Sequence, residues 1–452
     1  MTGDKFTKKS WLILIVFGMI GQIAWAVENM YFNLFLFETV SKSLSAVTLM
    51  VQLSGITATV VTLLAGTISD KLKNRRSFIS FGYIIWGITV LLFAFITTGN
   101  VQKLFAIEDV QKAVTVTLGI IVAMDCIMTA FGSTANDACF NAWVTDNTHS
   151  SYRGRVESVL AILPLIAMLI VAGGFGMIVT AFGGYTELFI GLGLIISITG
   201  ILGLVLIKDS PNLQTLKPSK FSDIFYGFKP SVIKENKKLY LNLCIIGIFG
   251  IATQVFMPYL IIFMKTYLHF SDIEYSLIFG AAIIIGAIIA VVLGKLSDKW
   301  KKERALYLFI GLFSIGLLIM YFTTSLEKPL LFLLFGMGGT VMILGNILVS
   351  TLTGAMVRDN TPDENVGKLQ GIRMIFSVLI PMLIGPEIGN AINRKMNIPL
   401  PDLGSADTMT TEYIPAPEIF LVAALIALLS IAVIFILNKV GKGKNDSLKN
   451  EL

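Results

Sequence analysis

Twelve apolar stretches, each about as long as a bilayer-crossing helix, follow one another from end to end of the sequence. A helix that crosses the hydrocarbon core needs roughly 20 mostly apolar residues. Such stretches fall at 11–37, 45–68, 78–98, 114–143, 156–181, 184–207, 239–264, 272–293, 305–324, 329–355, 369–393 and 417–438. Water offers no way to bury them all, because a single soluble core stops growing near about 300 residues. This chain has 452, of which 55% are hydrophobic and 14% charged, with a mean hydropathy of +0.79. A soluble domain carries about 25% charged residues. The pattern predicts an all-α polytopic membrane protein with twelve transmembrane helices.

Lysine and arginine orient these helices, since loops on the cytoplasmic side are enriched in them. With the N-terminus placed inside, 28 of the 35 basic residues fall on the cytoplasmic side and 7 on the other. An even number of spans then puts both termini in the cytoplasm, and the cell membrane is the expected location. The same distribution accounts for the pI of about 9.0, so a nucleic-acid partner is not expected. Lys5, Lys8 and Lys9 precede an apolar run that is longer than a signal-peptide core and has no small-residue cleavage site. That run reads as a retained first span. Cys126, Cys139 and Cys244 all lie in apolar runs and read as small buried hydrophobes. They have no disulfide or metal-ligand spacing. His149 and His269 lie between spans, which argues against a histidine proton relay within the membrane.

Two short motifs recur. Gly66-x-x-Ser69-Asp70-Lys71 follows the second span, and Gly294-x-x-Ser297-Asp298-Lys299 follows the eighth. Val144-x-Asp146-Asn147-Thr148 follows the fourth, and Val357-x-Asp359-Asn360-Thr361 the tenth. Each motif returns six spans later, which predicts two six-helix pseudo-symmetric halves threaded in the same direction. The expected divisions are 1–207, a central cytoplasmic loop at 208–238, 239–438, and a tail at 439–452. Aromatics and lysines between Phe221 and Tyr240 suit an interfacial helix on anionic lipid. The polar tail is expected to be disordered.

The motif Gly66-x-x-Ser69-Asp70-Lys71-x-x-x-Arg75-Arg76, with a second copy ending at Arg304, resembles the signature loop of the major facilitator superfamily. The usual glycine after the Asp-basic pair is replaced by Lys73, and by Lys301 in the second copy. The resemblance implies a secondary transporter and a cytoplasmic gate carried by Asp70 with Arg76 and Asp298 with Arg304. The segment from Asn136 through Asp137, Asn141, Trp143 and Thr148 to Arg153 is similar to the end of the fourth helix in the glycoside–pentoside–hexuronide:cation symporters. Gln254-Val-Phe-Met-Pro258-Tyr259 has the same look, also shared with the sucrose transporters. That resemblance implies a sugar or glycoside as solute, with Asp137 holding its hydroxyls. Sodium-coupled members carry paired carboxylates in the second helix, where this chain has Ala58 and Thr62. A proton is therefore the expected coupling ion, with sodium left open.

An ionisable group within the hydrocarbon costs about 2.5–3.5 kcal/mol on insertion scales, so it is a functional candidate by default. Three acids qualify: Glu28 in the first span, and Asp125 and Asp137 in the fourth. Gln22, Trp25, Asn29 and Asn33 recur at i, i+3, i+7 and i+11 on one helical face, with Glu28 on its flank. Amides both donate to and accept from hydroxyls, and an indole packs on the apolar face of a sugar. Interhelical hydrogen bonding is the competing reading of the same amides. Asp137 and Asn141 share a face at i, i+4. Because burial penalises a charged carboxylate, either Glu28 or Asp125 is the expected proton carrier. Gln254 and Tyr259 are the candidates in the second half, and Glu387 reads as either a gate or an interfacial residue.

No P-loop, nucleophile elbow or histidine-rich metal cluster is present in the sequence, so neither an ATP motor nor an enzyme is expected. No cofactor or metal site is expected beyond the coupling ion. The expected partners are a small-molecule solute and the lipid bilayer, and the chain is expected to be a monomer. A carrier of a drug, an organic ion or a lipid-like solute remains open on the same fold, as does a receptor or scaffold that moves nothing.

Overall fold

A computed structural model describes residues 7–148, 152–210, 221–297, 300–362, 366–400 and 413–450. Among these, twelve helices are long and apolar enough to span a bilayer. They are α1 (Lys8–Thr39), α2 (Leu44–Leu72), α3 (Arg75–Phe93), α4 (Val110–Asn147), α5 (Arg155–Phe182) and α6 (Thr186–Leu206), followed by α7 (Lys237–Thr266), α8 (Asp272–Gly294), α9 (Lys302–Thr323), α10 (Lys328–Asn360), α11 (Leu369–Met396) and α12 (Glu418–Lys439). They match the twelve apolar stretches one for one. The final helix runs on to Asn450, where the sequence reading expected disorder. A helix already nucleated by an apolar span adds residues at little cost.

The helices form two compact units, Met1–Phe221 and Ser222–Leu452. Within the first, α3 packs on α6, α1 on α5, α2 on α4, and α4 on α3. Within the second, α9 packs on α12, α7 on α11, α8 on α10, and α10 on α9. Each pairing in one unit returns in the other with the helix number raised by six, so the sequence repeat is also a repeat of packing.

In lipid the pull between helices comes from close packing and hydrogen bonds, not from apolar burial. The α3–α6 pair is close because of Gly193 and Gly200. A Cβ on Gly193 would lie 2.6 Å from the Gly87 carbonyl oxygen, and one on Gly200 would lie 2.7 Å from that of Ser80. Apolar side chains turn outward instead, such as Ile198, Ile201 and Val205 on α6 and Ile288, Val291 and Val292 on α8. Bilayer hydrocarbon solvates such surfaces.

Short polar residues set the helix starts. Thr7 accepts from the Ser10 amide, Ser43 from Ala46, and Asn74 from Ser77, each an N-cap that satisfies an orphan N–H. At the end of α2, Lys73 takes the left-handed conformation (φ 52°, ψ 38°) and its N–H donates to the Ser69 carbonyl. The turn is therefore the one a glycine would make, built here at the steric cost of a Cβ. Lys301, in the second copy, is extended at φ −64°, ψ 129°.

Ahead of α7 the chain forms a 3-10 segment, Phe221–Phe228, and a short helix, Pro230–Glu235. Val232 packs with Leu239, Leu243, Leu369 and Ile372, while Phe225 and Phe228 are exposed.

Candidate functional site

The spanning helices are not uniform α-helix. Single π-helical turns interrupt α1 at Glu28–Phe32, α4 at Ser133–Phe140, α5 at Val171–Phe175 and α11 at Ile375–Leu379. A π-turn inserts one extra residue and frees backbone carbonyls, and such turns concentrate at functional positions. Two of the four fall on the segments that carry Glu28 and Asp137.

The π-turn in α1 changes the meaning of the predicted amide stripe. Spacing of i, i+3, i+7 and i+11 keeps to one face only in a regular helix. Here Asn29 Nδ2 donates to the Trp25 carbonyl at 2.8 Å, and Asn33 Nδ2 to the Asn29 carbonyl at 3.0 Å. Both amides thus satisfy backbone acceptors of their own helix, and Asn33 is fully buried. Asn29 keeps an exposed position, while Gln22 and Trp25 are half-buried. Asn141 is exposed and donates to the Asp137 carbonyl at 3.1 Å.

Two polar clusters stand inside the first unit. Asp137 is the centre of one. Asn136 Nδ2 donates to it at 3.3 Å, and the Ser133 hydroxyl and Trp25 indole N–H lie near the same carboxylate without hydrogen-bonding it. The Tyr83 hydroxyl donates to the Phe17 carbonyl at 2.7 Å and lies 3.1 Å from Asn136 Oδ1. Trp25 leans on Trp86 with ring centroids 5.0 Å apart, and Tyr83 lies 5.6 Å from Trp86. The two indoles come this close to α4 because residue 132 is glycine: a Cβ there would meet Trp86 at 2.9 Å and Trp25 at 3.1 Å. Aromatic faces beside a hydrogen-bonded carboxylate suit a ligand with one apolar and one hydroxyl-bearing side.

The second cluster joins three helices. The Ser54 hydroxyl on α2 donates to Asp125 Oδ2 on α4. The Thr129 hydroxyl on α4 donates to Glu28 Oε1 on α1 at 3.0 Å. The two hydroxyl oxygens lie 3.4 Å apart. All four side chains are buried, Glu28 at 7%, Ser54 at 4%, Asp125 at 1% and Thr129 at 0% exposure. In the sequence Glu28 and Asp125 stand out singly, without the hydroxyls between them. Spacing alone links them in the sequence: Ser54 lies one turn before Ala58, and Thr129 one turn after Asp125.

At the motif end of the first unit the structure corrects the expected pair. Asp70 pairs with Arg75, one position before the Arg76 that the resemblance implies. The Arg75 guanidinium also bonds Asp146 at 3.2 Å and the Ser69 hydroxyl, and its side chain is 5% exposed. Arg76 sits one position, or 100°, further around the helix, and its side chain donates to the Leu204 carbonyl of α6. Asp209 accepts the backbone N–H groups of Arg75 and Arg76 at 2.8 and 3.0 Å, an anion on the positive end of α3. In the second unit Asp298 lies outside the described residues, and Arg304 is exposed. There Lys302 pairs with Asp359.

The two predicted residues of the second half both contact α11. Tyr259 is fully buried, and its hydroxyl donates to the Pro386 carbonyl at 2.7 Å, which pins α7 to α11. Gln254 is half-buried and packs against Gly385. Among the described residues no group of three or more His, Cys, Asp or Glu side chains has the arrangement of a metal site.

Two six-helix units with matching internal packing, and polar chemistry enclosed in the first, define a multi-pass membrane transporter. The chain belongs to the Major Facilitator Superfamily, whose family model matches residues 10–386. It is 29% identical over 112 residues to YkuC, an uncharacterized MFS-type transporter of Bacillus subtilis (strain 168). That stretch covers 25% of this chain and 26% of the relative, so the match spans about a quarter of the relative's length. Among solved structures the fold is similar to the nucleoside transporter NupG, with a TM-score of 0.66 and 12% identity over 95% of this chain and 98% of that one. It is also similar to a bacterial homolog of the human lysosomal transporter Spinster, in an inward-facing and unoccupied conformation. There the TM-score is 0.63 and the identity 12%, over 96% and 98% of the two chains.

Proposed function

We propose that this protein is a secondary active transporter that moves a sugar or glycoside across the cell membrane by alternating access, in symport with a proton. The observation that carries the reading is the adjacency of two kinds of chemistry in one unit. Trp25, backed by the fully buried Trp86, and Asp137 offer an aromatic face beside a carboxylate. Glu28 and Asp125, joined through Thr129 and Ser54, offer buried acids with no lysine or arginine among their hydrogen-bond partners. The acids of the two clusters act on each other electrostatically. Binding of solute and occupancy by a cation are thereby linked, as symport requires.

The resemblance to the glycoside–pentoside–hexuronide symporters supports the sugar, and Ala58 and Thr62 favour the proton over sodium. The four-to-one bias of basic residues supports cytoplasmic termini. The protein is read as a monomer that takes no cofactor.

Reconstitution into proteoliposomes tests this reading. Counterflow of a panel of labelled glycosides, including nucleosides as N-glycosides of ribose, identifies the solute. The expected result is accumulation of that solute under an inward proton gradient and none under an inward sodium gradient. Exchange of a lipophilic cation in the absence of any glycoside exchange would overturn the solute class.

A further inference from the structure

Counting hydrogens in the Glu28–Thr129–Ser54–Asp125 line shows what the cluster holds. The line has three links: Glu28 to Thr129, Thr129 to Ser54, and Ser54 to Asp125. Each hydroxyl has one hydrogen to donate and an ionised carboxylate has none. Two hydroxyls therefore supply two hydrogens for three links. If both acids are ionised, Thr129 donates to Glu28 and Ser54 to Asp125, and the two hydroxyl oxygens face each other with lone pairs only. The missing hydrogen is a carboxyl proton, and one suffices.

That proton has two placements that complete the line. On Glu28, it is donated to Thr129, whose hydroxyl turns to Ser54, whose hydroxyl turns to Asp125. On Asp125, the same line runs in reverse. Passage between the two is balanced: the Glu28 proton goes to Thr129 Oγ1, the Thr129 proton to Ser54 Oγ, and the Ser54 proton to Asp125 Oδ2. One proton leaves Glu28, one arrives at Asp125, and both hydroxyls are re-formed pointing the other way.

A second observation is independent of the line. Glu28 Oε2 and Asp125 Oδ1 are each buried with no hydrogen-bond partner, and so is Thr62 Oγ1, two turns from Ser54 on α2. Each carboxylate thus keeps one buried oxygen that no protein group hydrogen-bonds, where an ionised acid without full hydrogen bonding is costly. Other titratable groups face the pair. Asp137 acts on Glu28 from the π-turn of α4, Cys126 adjoins Asp125, and Tyr83 on α3 faces Asp137.

From this geometry we infer that the four side chains form a binding site for a single shared proton, with Thr129 and Ser54 as positioning residues that relay it between Glu28 and Asp125. This deepens the symport reading and rests on it. It predicts a coupling ratio of one proton per solute, although two acids are present.

The test uses the full chain in proteoliposomes with the solute found by counterflow. The reversal potential at a set pH gradient gives the number of protons per solute in the wild-type protein, and one is expected. Ser54→Ala and Thr129→Val each break the line, so each should lower the ratio of proton-driven accumulation to counterflow about tenfold. Ser54→Thr and Thr129→Ser keep a hydroxyl and should restore it. Two protons per solute, or an undiminished ratio in both Ser54→Ala and Thr129→Val, overturns the relay while proton symport stands. A wild-type protein driven by sodium and not by protons removes the symport reading and this inference with it.

Discussion

The two six-helix units share their helix pairings and differ in what they bury. The first encloses Glu28, Asp125 and Arg75, together with Ser54, Thr129 and Asn136. The fully buried polar residues described in the second are uncharged, such as Asn242, Ser314, Asn390 and Asn393. Their bonds are of the kind that hold helices together: Asn242 Nδ2 donates to the Met356 carbonyl at 3.4 Å, and Asn393 Oδ1 accepts from the Ala416 amide at 2.9 Å. The repeated motif differs in the same sense. Arg75 is enclosed by Asp70, Asp146 and Ser69, whereas Lys302 and Asp359 pair with side chains 44% and 58% exposed. Among the described residues, the first copy of the scaffold thus fully buries charged side chains and the second fully buries uncharged ones.

Substitution can break this contrast. The largest expected effect is at the motif. Arg75→Ala leaves Asp70 and Asp146 facing each other in a half-buried site, and should cost on the order of 3 kcal/mol. Lys302→Ala removes an exposed pair and should cost no more than about 0.5 kcal/mol. Thermal unfolding of the purified protein in one detergent compares them directly, and equal losses would erase the distinction. Next is Trp25→Ala, which removes a face of the aromatic cluster and should weaken solute binding about tenfold, read by the solute-dependent rise in Tm. Tyr259→Phe should cost about 1 kcal/mol for its bond to Pro386 and leave solute affinity unchanged. The smallest change is Lys73→Gly, which relieves a left-handed residue and should stabilise by about 1 kcal/mol or less. Lys301→Gly, at an extended position, should give no gain.

Much of the architecture was legible because hydropathy acts over whole helices. The repeat of Gly66–Lys71 at Gly294–Lys299 foretold the repeat of packing. The details of the site were less legible, for three physical reasons. A π-turn shifts helical register, and nothing in Glu28–Phe32 announces one, so the stripe through Asn29 and Asn33 was drawn on a face the helix does not keep. Serine and threonine are common in membrane helices as donors to their own backbone, as Thr59 and Thr117 are. Ser54 and Thr129 do not stand out until tertiary structure brings acids to them. Adjacent residues such as Arg75 and Arg76 are equivalent in sequence and separated only by where the helix begins. Asp70, Asp125 and Glu28 were legible as residues, and their partners were not.

The central claim is that the first unit carries the coupling chemistry. Its most direct measurement is the ratio of proton-driven accumulation to counterflow in proteoliposomes for Glu28→Gln, Asp125→Asn and Glu387→Gln, the last an exposed acid of α11. The account predicts that the ratio falls to the uncoupled value in Glu28→Gln and in Asp125→Asn and stays at the wild-type value in Glu387→Gln. Coupling that survives in both Glu28→Gln and Asp125→Asn and is lost in Glu387→Gln would contradict it.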